Sequence, residues 1–240
     1  DWGYSYTDGR PVLDRVMERV PATLELIGVA TLLALLASVP AGVYAAARRG
    51  VDRITNGVAV AGISLPVFWF GLLLQLVFAS TLGWLPSSGR RSFDGGDLAD
   101  RLSHLVLPAT VLAAVLAAAW SRYLRRVMRE SLGLQCIDVA RARGLSESRL
   151  IWRHALPLAL PAFVTVVLLD AAMLASGAVV TESIFAWPGI GSLFTESLAK
   201  RDYAVLMAFL MMGSVAVLLL NLIADVLVLW LDPRARSALT

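Results

Sequence analysis

The 240-residue chain is poor in cysteine, histidine, lysine and charge, and each shortage excludes something. Cys136 is the one cysteine, so an intramolecular disulfide is excluded. With only His104 and His154 beside it, no Cys/His metal-ligand spacing exists. Lys200 is the one lysine against twenty arginines, and no glycine-rich phosphate loop ending in Lys-Ser or Lys-Thr occurs. The chain is therefore not expected to hydrolyse ATP. Charged residues make up 16%, against about 25% in soluble domains. Apolar residues reach 58% and the mean hydropathy is +0.72, which marks a membrane protein. Alternating apolar/polar runs of strand length are missing, as are fixed-period repeats, so the expected fold class is all-α.

A helix needs about 20 mostly apolar residues to cross a bilayer. Five stretches qualify: 22–47, 57–82, 105–120 with a more polar continuation to 128, 156–180 and 203–231. Pro66 is expected to bend the second of them. Arginine collects in three places. These are the turn 48–53, the segment 121–155 (eight arginines against Glu130, Asp138 and Glu147) and the tail with Arg234 and Arg236. Five alternating spans put all three on one side, and the positive side is cytoplasmic. The C-terminus is then inside. Residues 1–20 and the loops 83–104 and 182–202 are outside, with eight basic against ten acidic residues. A polar start on the outside, with nothing before it to export it, predicts a further spanning helix upstream of Asp1.

The segment "DVARARGLSESRLIWRHALP" (138–157) is punctuated in a way that a simple topology loop does not require. Asp138 suits a helix start and Arg141 and Arg143 its end, by the helix dipole. Gly144 suits a left-handed C-terminal position. Ser146 is a candidate N-cap, with Glu147 in the next first turn and Leu145 and Leu150 at the spacing of a hydrophobic staple. Pro157 fits a helix start better than a middle. Two short helices joined by a glycine turn form a compact shape suited to docking a soluble partner.

That segment resembles the cytoplasmic coupling motif of ATP-binding-cassette importer permeases: Glu-Ala-Ala, three residues, Gly, nine residues, Ile-x-Leu-Pro. Here Asp138-Val139-Ala140, Gly144 and His154-Ala155-Leu156-Pro157 occupy those places, with Asp for Glu, Val for the first Ala and His for Ile. "GRPVLDRVMERVPATLEL" (9–26), "ESIFAWPGIGSLF" (182–194) and "DPRAR" (232–236) are similar to other parts of the dipeptide, oligopeptide and nickel branch. The resemblance covers nearly the whole chain. It implies a single permease domain over 1–240 with the fold of type I importers, lacking the family's first helix, in a bacterial inner membrane. It implies a coupling segment at about 133–157 and a substrate of peptide or, alternatively, nickel or another small solute. The implied partners are a second permease, two ATPase subunits that carry ATP and Mg, an external binding protein and the lipid bilayer. No cofactor in this chain and no nucleic acid are implied.

Within that reading Asp138, Ala140, Arg141, Arg143, Gly144, Ser146, Leu156 and Pro157 form the ATPase-coupling set. The arginines suit acidic groups on an ATPase, lipid phosphates, or orientation alone. Asp170, mid-span, is the candidate pathway acid, with a carboxylate at a helix interface as the alternative. Glu25 and Asp225 lie nearer span ends. Gln75 and Asn221 suit interhelical hydrogen bonds, Met207, Met211 and Met212 suit packing, and Ser176 and Gly177 suit close helix contact. Phe185 and Trp187 suit the membrane interface, and with Pro188, Gly189 and Gly191 they suggest an outer gating turn. A stand-alone secondary transporter fits poorly, for want of two related halves. An intramembrane serine protease fits poorly because neither histidine falls inside a span.

Overall fold

A computed structural model describes residues 2–48, 50, 52, 53, 55, 57, 65–92, 97–175 and 178–231. Among these the secondary structure is helical, apart from one antiparallel bridge between Tyr4 and Pro11. The helices are α1 (Val12–Ala47), α2 (Val67–Leu74, continued by a π-helical Gln75–Thr81), α3 (Leu98–Leu132) and α4 (Gln135–Ala142). There follow α5 (Glu147–Arg149), a π-helical Leu150–Ala155, α6 (Leu156–Ala175), α7 (Val179–Ile184), α8 (Ile190–Ala199) and α9 (Tyr203–Leu231).

Among the described residues four helices are long and apolar enough to cross a membrane: Val12–Ala47, Leu98–Leu132, Glu147–Leu174 and Tyr203–Leu227. A shorter apolar helix, Val67–Thr81, belongs to the second predicted stretch, 57–82. Helices extend beyond the apolar windows because polar ends also gain backbone hydrogen bonds. Asp97 begins α3 by accepting the Asp100 amide (3.1 Å), so residues 98–104 are helix and not loop. Pro66 stands before α2 with extended geometry (φ −59°, ψ 131°). It starts a helix where a bend was expected, because a helical interior would leave it a missing donor and a clash.

The chain divides into two compact units. One comprises Asp1–Leu33, Leu65–Ala113 and Ala171–Leu219, the other Ala34–Ser64, Ala114–Asp170 and Leu220–Thr240. In the first, the small Ala22 and Ala30 of α1 and Ala109 of α3 pack with Leu26, Leu105, Leu112 and Trp187. Small residues let helix backbones approach closely where no water drives them together. A second cluster joins Leu74, Leu107, Val111 and Phe185, and a third joins Val12, Val16, Leu193, Val205 and Ala208. Buried Asp202 bonds the Ser5 hydroxyl and the Tyr6 amide (3.2 Å) and pairs with Arg15 (3.3 Å), which ties the N-terminal segment to the turn before α9.

In the second unit the fully buried Trp120 meets Phe163 edge to face, centroids 6.4 Å apart. Asp52 pairs with Arg125 (2.7 Å) and Arg129 (2.9 Å), and Tyr44 lies edge-on to Trp152 at 6.2 Å.

Candidate functional site

The segment 133–157 is a closed helix, a glycine turn and a second helix. α4 begins at Gln135, three residues before Asp138, which occupies its first turn. Its end is tied by two backbone bonds: Gly144 N–H to Arg141 C=O (3.0 Å) and Leu145 N–H to Ala140 C=O (3.4 Å). This is the Schellman closure, and it requires a left-handed residue between the two bonds. Gly144 has φ +82°, and a Cβ added there would meet nothing within 4 Å. The demand on this position comes from the backbone alone, not from packing.

Arg141 bridges the two helices, bonding Asp138 Oδ1 and Glu147 Oε1 at 2.9 Å each. The Glu147 hydrogen bond raises the guanidinium pKa above its usual value, with Asp138 adding to it. All three side chains are exposed, so this clamp sets geometry more than stability. Ser146 has the extended geometry of an N-cap (φ −64°, ψ 145°), yet its hydroxyl makes no capping bond. Its carbonyl accepts the Leu150 amide at 3.0 Å. Ile137 and Leu150 are buried and root the segment, while Val139 and Trp152 stay exposed. Arg143 is exposed and Ala140 half-buried.

The second helix does not end at Pro157, as the sequence suggested. Helical backbone runs on from Glu147 to Leu174, with Leu156 and Pro157 in the first turn of α6. Proline lacks an N–H and crowds the carbonyl four residues back. The wider π turn at Leu150–Ala155, closed by Leu156 N–H to Ile151 C=O, lies directly before it. A π turn absorbs such a misfit without breaking the helix, and it leaves the docking-shaped segment continuous with a spanning helix.

The 182–202 stretch also departs from expectation. It is mostly helix, α7 and α8, and its aromatic residues are interior. Phe185 and Trp187 are both buried, and Trp187 Nε1 donates to the Ala22 carbonyl at 2.8 Å. An interface position needs one wet end, and here the polar tip finds its partner inside the protein.

The organising residue of this stretch is one that the sequence reading did not single out. Glu182 is fully buried and accepts from the Thr23 hydroxyl (2.7 Å), the Ser192 amide (2.9 Å) and the Gly191 amide. Thr23 in turn accepts from the Ile190 amide at 2.8 Å. The first three amides of α8 are thus satisfied by one carboxylate and one hydroxyl, at the helix end that favours negative charge. Burial raises the Glu182 carboxyl above its ordinary 4.5, against these donors. A Cβ on Gly189 would overlap the Glu182 carboxylate, and one on Gly191 would come within 2.6 Å of Val179 Cα. These glycines serve close approach, and Pro188 leads into it. The signal was present: Pro-Gly-x-Gly opens a helix, and an acid seven residues earlier is a ready cap.

Asp170 is half-buried and accepts from Trp120 Nε1 at 2.7 Å. Glu25 binds Arg90 and Arg101, and Asp225 is exposed. Gln75 donates to the Ser87 and Ile184 carbonyls (2.7 and 3.1 Å), while Asn221 Oδ1 is buried without a partner among the described residues. Met207 and Met211 are exposed, and Met212 packs on the Val12 cluster. His104 is buried, its Nδ1 3.0 Å from the Asp100 carbonyl. Ser176, Gly177, Arg234, Arg236 and the 232–236 motif lie outside the described residues.

The family model described as the binding-protein-dependent transport system inner membrane component matches residues 38–237. The oligopeptide transport system permease protein AppB of Bacillus subtilis is 41% identical over 98% of this chain and 75% of its own length. The di/tripeptide permease protein DppB of Pseudomonas aeruginosa is 37% identical over 98% of this chain and 76% of its own. The glutathione permease protein GsiC of Escherichia coli K12 is 36% identical over 98% and 75%. The chain thus spans about three quarters of these relatives. A solved inward-facing MetNI methionine ABC transporter aligns with TM-score 0.73 and 18% identity, over 92% of this chain and 98% of that one, a likeness of fold.

Proposed function

The chain belongs to the family of inner-membrane components of binding-protein-dependent transport systems, and from that premise we propose that it is one permease of a peptide importer. It forms half of the translocation pathway for di- or oligopeptides, a substrate class supported by the oligopeptide and di/tripeptide relatives. It acts as a single permease domain over 1–240 beside a second, homologous permease. Two ATPase subunits carry ATP and Mg, this chain holds no cofactor of its own, and an external binding protein delivers the peptide. The arginine-rich 121–155 side and the C-terminus face the cytoplasm, by the distribution of positive charge.

The observation that carries this reading is the docking-shaped segment continuous with a span. Asp138, Ala140, Arg141 and Arg143 offer one short helix to an ATPase groove, and Gly144 and Ser146 turn the chain into the next. Leu156 and Pro157 pass its displacement into α6. An ATPase that binds the two permease states with different affinity shifts their populations by that difference. Asp170 is the pathway acid of this scheme, oriented by Trp120, and the Phe185–Gly191 turn is its outer gate element.

Gly144 supplies the test. Gly144→Val places a branched side chain in a left-handed turn at a cost of about 1–2 kcal/mol or more, with no packing change to confuse the result. In the complete importer in liposomes, uptake per ATP hydrolysed falls at least about tenfold while membrane insertion is unchanged. Gly144→Asn tolerates the left-handed region and keeps uptake. Wild-type uptake by the valine variant removes the coupling role.

A further inference from the structure

The 83–104 stretch and Pro188 border a depression of about 650 Å3, lined by Arg90, Arg91, Asp97, Leu98, Arg101 and Pro188. Two of its arginines are held in place. Arg90 Nε and Nη2 donate to Glu25 Oε2 at 3.0 and 2.5 Å, and Arg101 Nη2 donates to the same oxygen at 2.6 Å. Arg90 also stands over the ring of Trp187, 6.0 Å from its centroid, and that ring is itself locked by its bond to Ala22.

One carboxylate therefore orients two guanidinium groups without exhausting them. Arg101 Nε is buried and has no hydrogen-bond partner among the described residues. Buried donors in native proteins are almost always satisfied, so an unsatisfied one beside a cavity points to an acceptor that arrives from it. Arg91 lines the same depression, is exposed, and pairs with no acid among the described residues. Asp97 is occupied by the Asp100 amide. Among the described residues, Arg90, Arg91 and Arg101 against Glu25 and Asp97 leave one positive charge in excess, the complement of a single carboxylate.

We propose that this cluster is an anion site that receives the carboxylate terminus of the peptide being transported, an inference that rests on the peptide-importer reading above. The chemistry narrows the occupant. Guanidinium forks match planar carboxylates in pairs. The volume is that of a small-ligand pocket, not of a flat protein-docking face. Among the described lining residues only Leu98 and Pro188 are apolar, too little wall for a lipid chain.

The experiment uses the complete importer in liposomes, with its own binding protein and ATPases. The probes are a mixed di- and tripeptide library and the same library amidated at the C-terminus. The reading is the ratio of free-acid to amide uptake. The binding protein is common to every variant, so its own preference cancels when ratios are compared. Arg91→Gln lowers the ratio about fivefold, the effect of one partly exposed charge-assisted contact, and Arg91→Lys restores most of it. A ratio within twofold of wild type in Arg91→Gln overturns the site while leaving the peptide reading standing. A wild-type importer that takes up neither library overturns the peptide reading, and the site with it.

Discussion

Glu182 and Gly189 should be energetically coupled with a sign that no independent pair of sites would show. Glu182→Ala removes the acceptor of the Thr23 hydroxyl and of the Ser192 and Gly191 amides. Each buried donor left unpaired costs about 1–3 kcal/mol, so the single substitution costs about 3 kcal/mol or more in the unit that holds α8. Gly189 has φ −101° and ψ −175°, a conformation that alanine adopts freely. The cost of Gly189→Ala is therefore overlap with the Glu182 carboxylate and little else, about 1–3 kcal/mol for overpacking. Once Glu182 is alanine that obstacle is gone. The double variant should then be less damaged than the sum of the singles by about 1–3 kcal/mol. Hydrogen exchange of the Gly191 and Ser192 amides in the purified complex reads this directly, since about 2 kcal/mol is roughly a thirtyfold change in protection. Equal damage from Gly189→Ala in both backgrounds would refute the argument that the glycine exists to admit the carboxylate.

The same carboxylate makes a pH prediction. Its pKa is raised in the folded protein, so the native state binds more protons than the unfolded state above pH 4.5. The stability it contributes is full below about 4.5 and is lost as pH rises through the folded value. The difference in thermal midpoint between wild type and Glu182→Gln should therefore change in favour of the variant from pH 4.5 to 7.5, and a flat difference would contradict it. Asp170→Asn keeps an acceptor for Trp120 Nε1 and should leave stability within about 1 kcal/mol, whereas Asp170→Ala orphans a buried donor at about 1–3 kcal/mol. If peptide uptake falls with Asn while the thermal midpoint holds, the charge acts in transport; unchanged uptake assigns Asp170 to structure alone.

Several features were legible from residues alone because they depend on composition and local backbone chemistry. Long apolar runs have to be helical in a bilayer, where each backbone group needs an internal partner, so the spans could be counted from sequence. A glycine between a charged helix end and a serine-glutamate start announced the turn at 144, and its φ of +82° follows from that local chemistry. The clustering of eight arginines in 121–155 is likewise a property of the chain.

What needed the tertiary structure was everything set by neighbours distant in sequence. Phe185 and Trp187 carry the composition of a membrane interface, yet they are interior because Leu107 and Ala22, far away in the chain, pack or bond with them. Glu182 stands ahead of a Pro-Gly-x-Gly helix start, but its burial as a cap depends on Thr23, 159 residues away. Pro157 was expected to end one helix and start another, and the π turn before it instead keeps one continuous helix. Glu25 lies near a span end by sequence, and only the fold brings Arg90 and Arg101 to share its carboxylate. The sequence alone determined that the fold is helical, where its long apolar stretches lie and that a glycine turn falls at 144, because those follow from solvation of the backbone and from local turn chemistry. Only the tertiary structure decided which polar groups are buried and paired, because a buried charge is set by the partners that folding brings to it.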